Sequence, residues 1–258
     1  MPMLDPTKRF TGRSENYIRY RPGYPREIIH LLRDRCGLTP ASIIADIGSG
    51  TGKLSELFLK NGNPLLGVEP NPEMREAGEH LLHHFPNFTS INGTAEATTL
   101  QTRSVDFVVA AQAFHWFDHS RCRAEFRRIL KPQGWVAIIF NRRRADAKPF
   151  AVEYEKLADT ISAAAETPRH RKISREVLEQ FFQDPPAFET FYHEQEFDFE
   201  SLKGRLLSSS YAPEAGQPGH EEMLAVLKQI FDKYHKHGRV VFEYETEVCY
   251  GRLKQNEP

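Results

Sequence analysis

Cysteine is scarce: Cys36, Cys122 and Cys249 are the only three in 258 residues, far apart and without a CxxC pair. That spacing excludes a disulfide framework and a zinc knuckle, and the three are expected as small buried hydrophobes with no metal site. No apolar run approaches the ~20 residues that a membrane helix needs. The start, MPMLDPTKRF, lacks the charged start followed by an apolar stretch that a secretory signal requires. A cytoplasmic chain without membrane contact is therefore expected. Internal repeats and low-complexity segments are also missing. With 40% hydrophobic against 27% charged residues, the chain can bury a core of one large domain carrying an insertion. A net charge of −1 lacks the basic excess of a dedicated nucleic-acid binder, so the expected partner is a small molecule. The charge is unevenly spread. Residues 1–145 hold 20 Lys+Arg against 14 Asp+Glu, whereas residues 146–258 hold 14 against 21, so the first part favours an anionic ligand over a cationic one.

Hydrophobic periodicity supplies the elements. A helix over residues 26–36 ends at Gly37. SIIADI at 42–47 then reads as a strand followed at once by glycines and a helix carrying Leu54, Leu57 and Phe58. The unit repeats through PLLGVE, a helix at 72–84, short strands at 88–91 and 105–111, a helix from Ser120 as N-cap to Leu130, and a fifth strand at 135–140. Continuous apolar strands alternating with amphipathic helices predict a parallel sheet covered on both faces. Beyond residue 140 the alternation stops. Helices are expected at 150–165, 174–182, 200–207 and 221–237, with strands at 188–197 and 240–250, the last antiparallel. The predicted fold is α/β, a Rossmann-like three-layer sandwich with a seven-stranded, mostly parallel sheet and a helical cap. Within a single domain of residues 1–258, residues 1–25 form a lid, 26–145 the cofactor-binding core, 146–238 a partly inserted substrate cap and 239–258 the last strand.

The segment ADIGSGTGKL at 45–54 leaves a strand and opens a helix, and Gly48, Gly50 and Gly52 let a ligand approach the backbone. A dinucleotide fingerprint needs its third glycine at position 53, which is Lys53. This argues against a nicotinamide oxidoreductase. Glu69 closes the second strand, where a carboxylate accepts hydrogen bonds from both hydroxyls of a ribose. The bland reading of the pair is a tight turn and a solvated acid.

These motifs, with GVEPNPEM at 67–74, GTAEATTL at 93–100, VDFVVAAQAFHWFD at 105–118 and LKPQGWVAI at 130–138, resemble those of the class I S-adenosylmethionine-dependent methyltransferases. The stretch FTGRSENYIRYRPGYP at 10–25, taken with AFHWFD, resembles the small-molecule branch that includes trans-aconitate methyltransferase. The resemblance implies S-adenosylmethionine as cofactor. Asp46, Gly48, Ser49, Gly50 and Gly52 then cradle its methionine end, Glu69 holds the ribose, and Pro70 and Met74 lie by the adenine. Where many relatives carry an acid, this chain has Thr94, which leaves the Ala95 backbone and the Glu96 carboxylate for the adenine edge. Ala111 and Gln112 close the fourth strand beneath the sulfonium.

His115 and Trp116 follow that strand at the carboxyl edge of the sheet, where open α/β folds bind ligands. His115 is the candidate base or substrate partner, against the reading of a structural histidine. Tyr17 and Arg21 of the lid and Arg142 after the fifth strand are expected substrate contacts, since arginine suits an anionic acceptor such as a carboxylate. Two of Arg142, Arg143 and Arg144 are expected on a solvated face. The rival to an enzyme is a non-catalytic cofactor-binding or interaction module on the same fold. The oligomeric state and the methyl acceptor are not legible in these residues.

Overall fold

The computed structural model describes residues 19–145, 148–165, 173–182 and 184–254. In chain order the elements are α1 (Glu27–Cys36), β1 (Ile44–Ile47), α2 (Lys53–Lys60), β2 (Leu65–Val68), α3 (Pro72–Leu82), β3 (Phe88–Ile91) and β4 (Val105–Ala111). There follow α4 (His119–Ile129), β5 (Leu130–Arg143), α5 (Pro149–Ala164), α6 (Arg175–Phe182), β6 (Ala187–Phe197), α7 (Phe199–Leu207), α8 (His220–Tyr234) and β7 (Val240–Gly251). One seven-stranded sheet has the order β3-β2-β1-β4-β5-β7-β6. The first five strands pair parallel, and β7 runs antiparallel between β5 and β6. The Rossmann-like sandwich expected from the alternation is what forms.

Period two places the side chains. Val136, Ile138 and Phe140 of β5 point into one core with Phe114, Phe126 and Phe181, while Ala137 and Ile139 point into the other with Ile28, Leu32 and Phe58. A third core joins α5, α7 and α8 to the far end of β7 through Tyr154, Leu202, Leu227 and Phe242. Cys36, Cys122 and Cys249 are buried and free; burial pushes the Cys36 and Cys122 thiols up to about 12. Among the described residues no helix is long and apolar enough to cross a membrane, and no cluster of His, Cys, Asp or Glu is suited to a metal ion.

Two local readings are corrected. The cap of α4 is Asp118, whose carboxylate accepts the N–H groups of Ser120 and Arg121, because an N-cap acceptor must lie two or three residues upstream of the donors it satisfies. The fifth strand is also longer than its apolar run. Arg142 and Arg143 remain in β5, opposite Glu245 and Tyr244 of β7, because the antiparallel neighbour prolongs the ladder past the parallel part of the sheet.

Candidate active site

The chain runs outward from β1 to β2 and β3, then crosses back to β4 on the other side of β1. At such a switch point the loops leaving adjacent strands diverge and open a crevice at the carboxyl edge. A cavity of about 730 Å³ lies there, within the range of ~300–1,000 Å³ usual for small-molecule sites.

Its first wall is the loop after β1. Gly48 and Gly50 have φ of +70° and +56°, a region costly for residues with a Cβ. At Gly48 a Cβ would also stand 2.6 Å from that of Ala113. At Gly50 it would meet only Met74 Cε, at 3.4 Å, so backbone conformation alone demands that glycine. The loop is tied to β2 by the Gly48 and Ser49 N–H groups, which donate to the Val68 carbonyl. Glu69 completes the tie: Oε2 accepts from Gly50 N at 2.9 Å and Oε1 from Asn71 N at 2.9 Å. Burial raises its pKa, against the pull of these two bonds. Asp46 is fully buried, accepts from Ser55 Oγ at 2.6 Å, and is pushed up to about 7 by that burial.

Ser49, Pro70 and Met74 also line this wall, whereas Gly52 does not. Gly52 instead caps α2 with φ +83° and packs on Leu82. Lys53 reaches the cavity, and burial lowers its pKa against Glu56.

The next wall is the turn after β3. Thr94 and Ala97 bridge each other across it, Ala95 and Glu96 line the cavity, and Glu96 Oε1 accepts the Asp118 N–H at 2.9 Å. The turn is fastened to α4 by Glu125, which accepts from Thr98 N at 2.8 Å and is held at about 2 by Arg128. Ala111 and Gln112 end β4 at the cavity floor, Gln112 at φ +54° with Nε2 donating to the Asn141 carbonyl. His115 and Trp116 stand beside each other on a single 3₁₀ turn and line the same space, while Phe114 is buried in the core.

The cavity continues past this motif region into one that no motif announced. Glu155 and Asp159 of α5, Arg205 of α7, Tyr211 and Tyr244 form its far wall with Arg143. Arg21 lines it too and is pinned to α7, its Nε donating to Ser208 Oγ at 3.1 Å and Nη2 to the Ser208 carbonyl at 3.0 Å. Tyr17 lies outside the described residues. Arg142 lines the cavity with its Nη2 on Glu247 at 3.3 Å. Arg144 pairs with Glu243 and Glu245 and is half-exposed. Arg143 is the buried one: Nε donates to Glu155 at 2.7 Å, and its guanidinium covers the rings of Tyr154 and Phe242. Burial opposes its charge, but Tyr154 and Glu155 more than offset this, and its pKa is raised.

A carboxylate fixed beside a glycine loop, under a cavity with a basic far wall, can hold a polar ligand at one end and leave room for a second at the other. Comparison with known proteins bears on the first. Residues 45–138 match the methyltransferase domain family. An uncharacterized methyltransferase of Mycobacterium tuberculosis is 38% identical over 127 residues, 49% of this chain and 49% of that one. An uncharacterized methyltransferase-like protein of Schizosaccharomyces pombe is 33% identical over 151 residues, 58% of this chain and 57% of that one. The chain thus spans about half the length of the curated relatives it matches. A solved chain of Anaeromyxobacter dehalogenans, provisionally named a type II methyltransferase, shares the fold with a TM-score of 0.68 at 23% identity, over 91% of this chain and 98% of that one.

Proposed function

We propose that the chain is an S-adenosylmethionine-dependent methyltransferase of class I acting on a small molecule in the cytoplasm. The observation that carries this reading is Glu69. A buried carboxylate at the end of β2, clamped by the Gly50 and Asn71 N–H groups, keeps further lone pairs for a ribose diol at the cavity. The residues fit the rest of the group as well. Gly48 and Gly50 expose backbone to the cavity, Met74 and Pro70 give apolar surface, and the Thr94–Ala97 turn offers the Ala95 backbone and Glu96 to an adenine edge. Asp46 would face the cationic methionine end, with Ala111 and Gln112 beneath the sulfonium.

When bound, the cofactor would supply a methyl carbon already activated on a sulfonium, with the sulfur as the leaving group. The protein's part is alignment and exclusion of water. Within the segment 146–238, α5 and α7 serve as the cap, since Glu155, Asp159 and Arg205 line the cavity, while β6 joins the sheet. Arg21, Pro22 and Tyr24 close it as the end of the lid. A carboxylate acceptor needs no base, and His115 then serves as a wall; a hydroxyl or amine acceptor would give its proton to His115. The buried Arg143 and the Arg21 and Arg142 side chains at the cavity support a carboxylate.

Calorimetry of the purified chain tests the reading. S-adenosylmethionine and its demethylated product are expected to bind in the micromolar range and NAD to show no heat. Binding of NAD alone would refute it. Cofactor binding without methyl transfer to any compound of a metabolite extract would favour the non-catalytic module.

A further inference from the structure

Arg205 sits on α7 with 5% of its surface exposed and lines the far wall of the cavity. An arginine stays charged whatever its surroundings, so a buried one is stable only when its charge is matched. The arginines at the end of β5 and just after it have such partners: Arg142, Arg143 and Arg144 each have a glutamate. Arg205 does not. Among the described residues no carboxylate pairs with it; Nη1 reaches Ser208 Oγ at a long 3.4 Å, and Nε has no hydrogen-bond partner. Ser208 Oγ is itself committed, donating to the Arg205 carbonyl at 2.7 Å and accepting from Arg21.

The surroundings repeat the pattern. Arg143 Nη1 and the hydroxyls of Tyr154 and Tyr244 are buried without partners, and Arg143 and Arg205 both act electrostatically on Tyr154, which places the two guanidinium groups in one neighbourhood. Three polar side chains with unfilled donors, Arg143, Arg205 and Tyr244, therefore line the cavity, with Tyr154 behind them. The acids on this wall are Glu155, already on Arg143, and Asp159.

We infer that Arg205 anchors the methyl acceptor, that the acceptor carries a carboxylate, and that Arg143 and Tyr244 complete its recognition. The assignment rests on the methyltransferase reading and deepens it. A guanidinium offers two parallel N–H donors that match the two oxygens of a carboxylate and fix the orientation of what is attached to it. One unmatched positive charge calls for one negative charge. A phosphate monoester would bring nearly two, against Glu155 and Asp159 on the same wall. Arg142, the arginine singled out by its place after the apolar strand, has its charge met by Glu247 and contributes to the rim.

The test uses the full chain saturated with S-adenosylhomocysteine and a panel of benzoate, hexanoate, succinate and citrate, with benzamide, hexanamide and phenyl phosphate beside them. Thermal shift and calorimetry should show at least one acid binding and its amide not. Arg205→Met should weaken that acid at least tenfold, Arg205→Lys by less, and neither should move cofactor affinity more than twofold. Without ligands, Arg205→Met should melt at or above the wild type, because an unmatched buried charge has been removed. Acids that bind neither variant nor wild type, acids indifferent to Arg205→Met, a preference for the amides or the phosphate, or a variant that melts well below the wild type would each overturn the assignment. If the cofactor fails to bind while an acid still binds through Arg205, the methyltransferase reading falls and the carboxylate site stands.

Discussion

Replacing Glu69 by Ala removes a side chain with two jobs, and the structure lets them be separated. Both carboxylate oxygens accept backbone N–H groups, Gly50 and Asn71 at 2.9 Å each. A buried donor left without an acceptor costs ~1–3 kcal/mol. The truncation opens the site to water from the cavity, which re-solvates part of that pair, so about 1–3 kcal/mol of stability should be lost in all. The effect on binding is additional. A ribose diol donating to a carboxylate makes charge-assisted bonds worth a net ~1–3 kcal/mol together, or roughly 5- to 150-fold in Kd. Glu69→Gln divides the two effects: its amide keeps one acceptor for the loop but turns an N–H₂ toward the other backbone donor and loses the charge. The expected order of affinity for S-adenosylhomocysteine by calorimetry is wild type, then Gln, then Ala, while thermal melting places Gln between the other two. An Ala variant that melts several degrees lower yet binds within twofold of the wild type would show that Glu69 only braces the glycine loop, and the ribose assignment would be refuted.

Two further outcomes follow from the same geometry. Asp46 has its pKa raised by burial to about 7, so between about pH 4 and 7 the folded state holds a proton that the unfolded state has released; its contribution to stability is full below the unfolded value and is lost as pH rises through 7. Asp46→Asn, which keeps an acceptor for Ser55 Oγ, should be more stable than the wild type at pH 8, by ~4 kcal/mol at most, and the gap should narrow below pH 7 and close toward about pH 4; a gap independent of pH in thermal or denaturant melts would contradict this. Gly204 lies one residue before Arg205, and a Cβ there would overlap the Tyr20 ring, so Gly204→Ala should lift the segment carrying Arg21 from α7. Hydrogen exchange at residues 19–24 should then quicken; unchanged exchange would mean that Tyr20 is not what docks the segment.

How far the sequence could be read depended on how local each signal was. The glycines at 48 and 50 and the acid at 69 were legible because a strand end, a turn and the next strand end are joined by short chain, and each demands a residue type of its own. The seven strands were legible from period and length, and even the antiparallel β7 showed through its alternation. The cap of α4 went to Ser120 because Ser120 and Asp118 are both good N-caps, and only the geometry shows that the aspartate's oxygen reaches Ser120 N and Arg121 N. Gly52 reads as a third cradle glycine, although its neighbour is Leu82. Glu155, Asp159, Arg205, Tyr211 and Tyr244 carried no signal at all. They come from two helices, a loop and the last strand, and nothing in their separate surroundings distinguishes a cavity arginine from one on a solvated helix.

That contrast between the two ends of the cavity has a structural cause. The end at the glycine loop is built from backbone and from side chains at strand ends, whose places glycine spacing and strand length specify, while the far end is built from side chains that tertiary packing brings together. Ser208 joins the two segments that close the acceptor end, since the same hydroxyl accepts from Arg21 and lies against Arg205. Tyr20 rests on Gly204, four residues earlier and one helical turn away on α7. The segment 19–24 therefore docks on the helix that carries Arg205, so that the proposed acceptor anchor and this segment share one face of support. Under the proposed reading, a shift of α7 would therefore reach the anchor and this segment together.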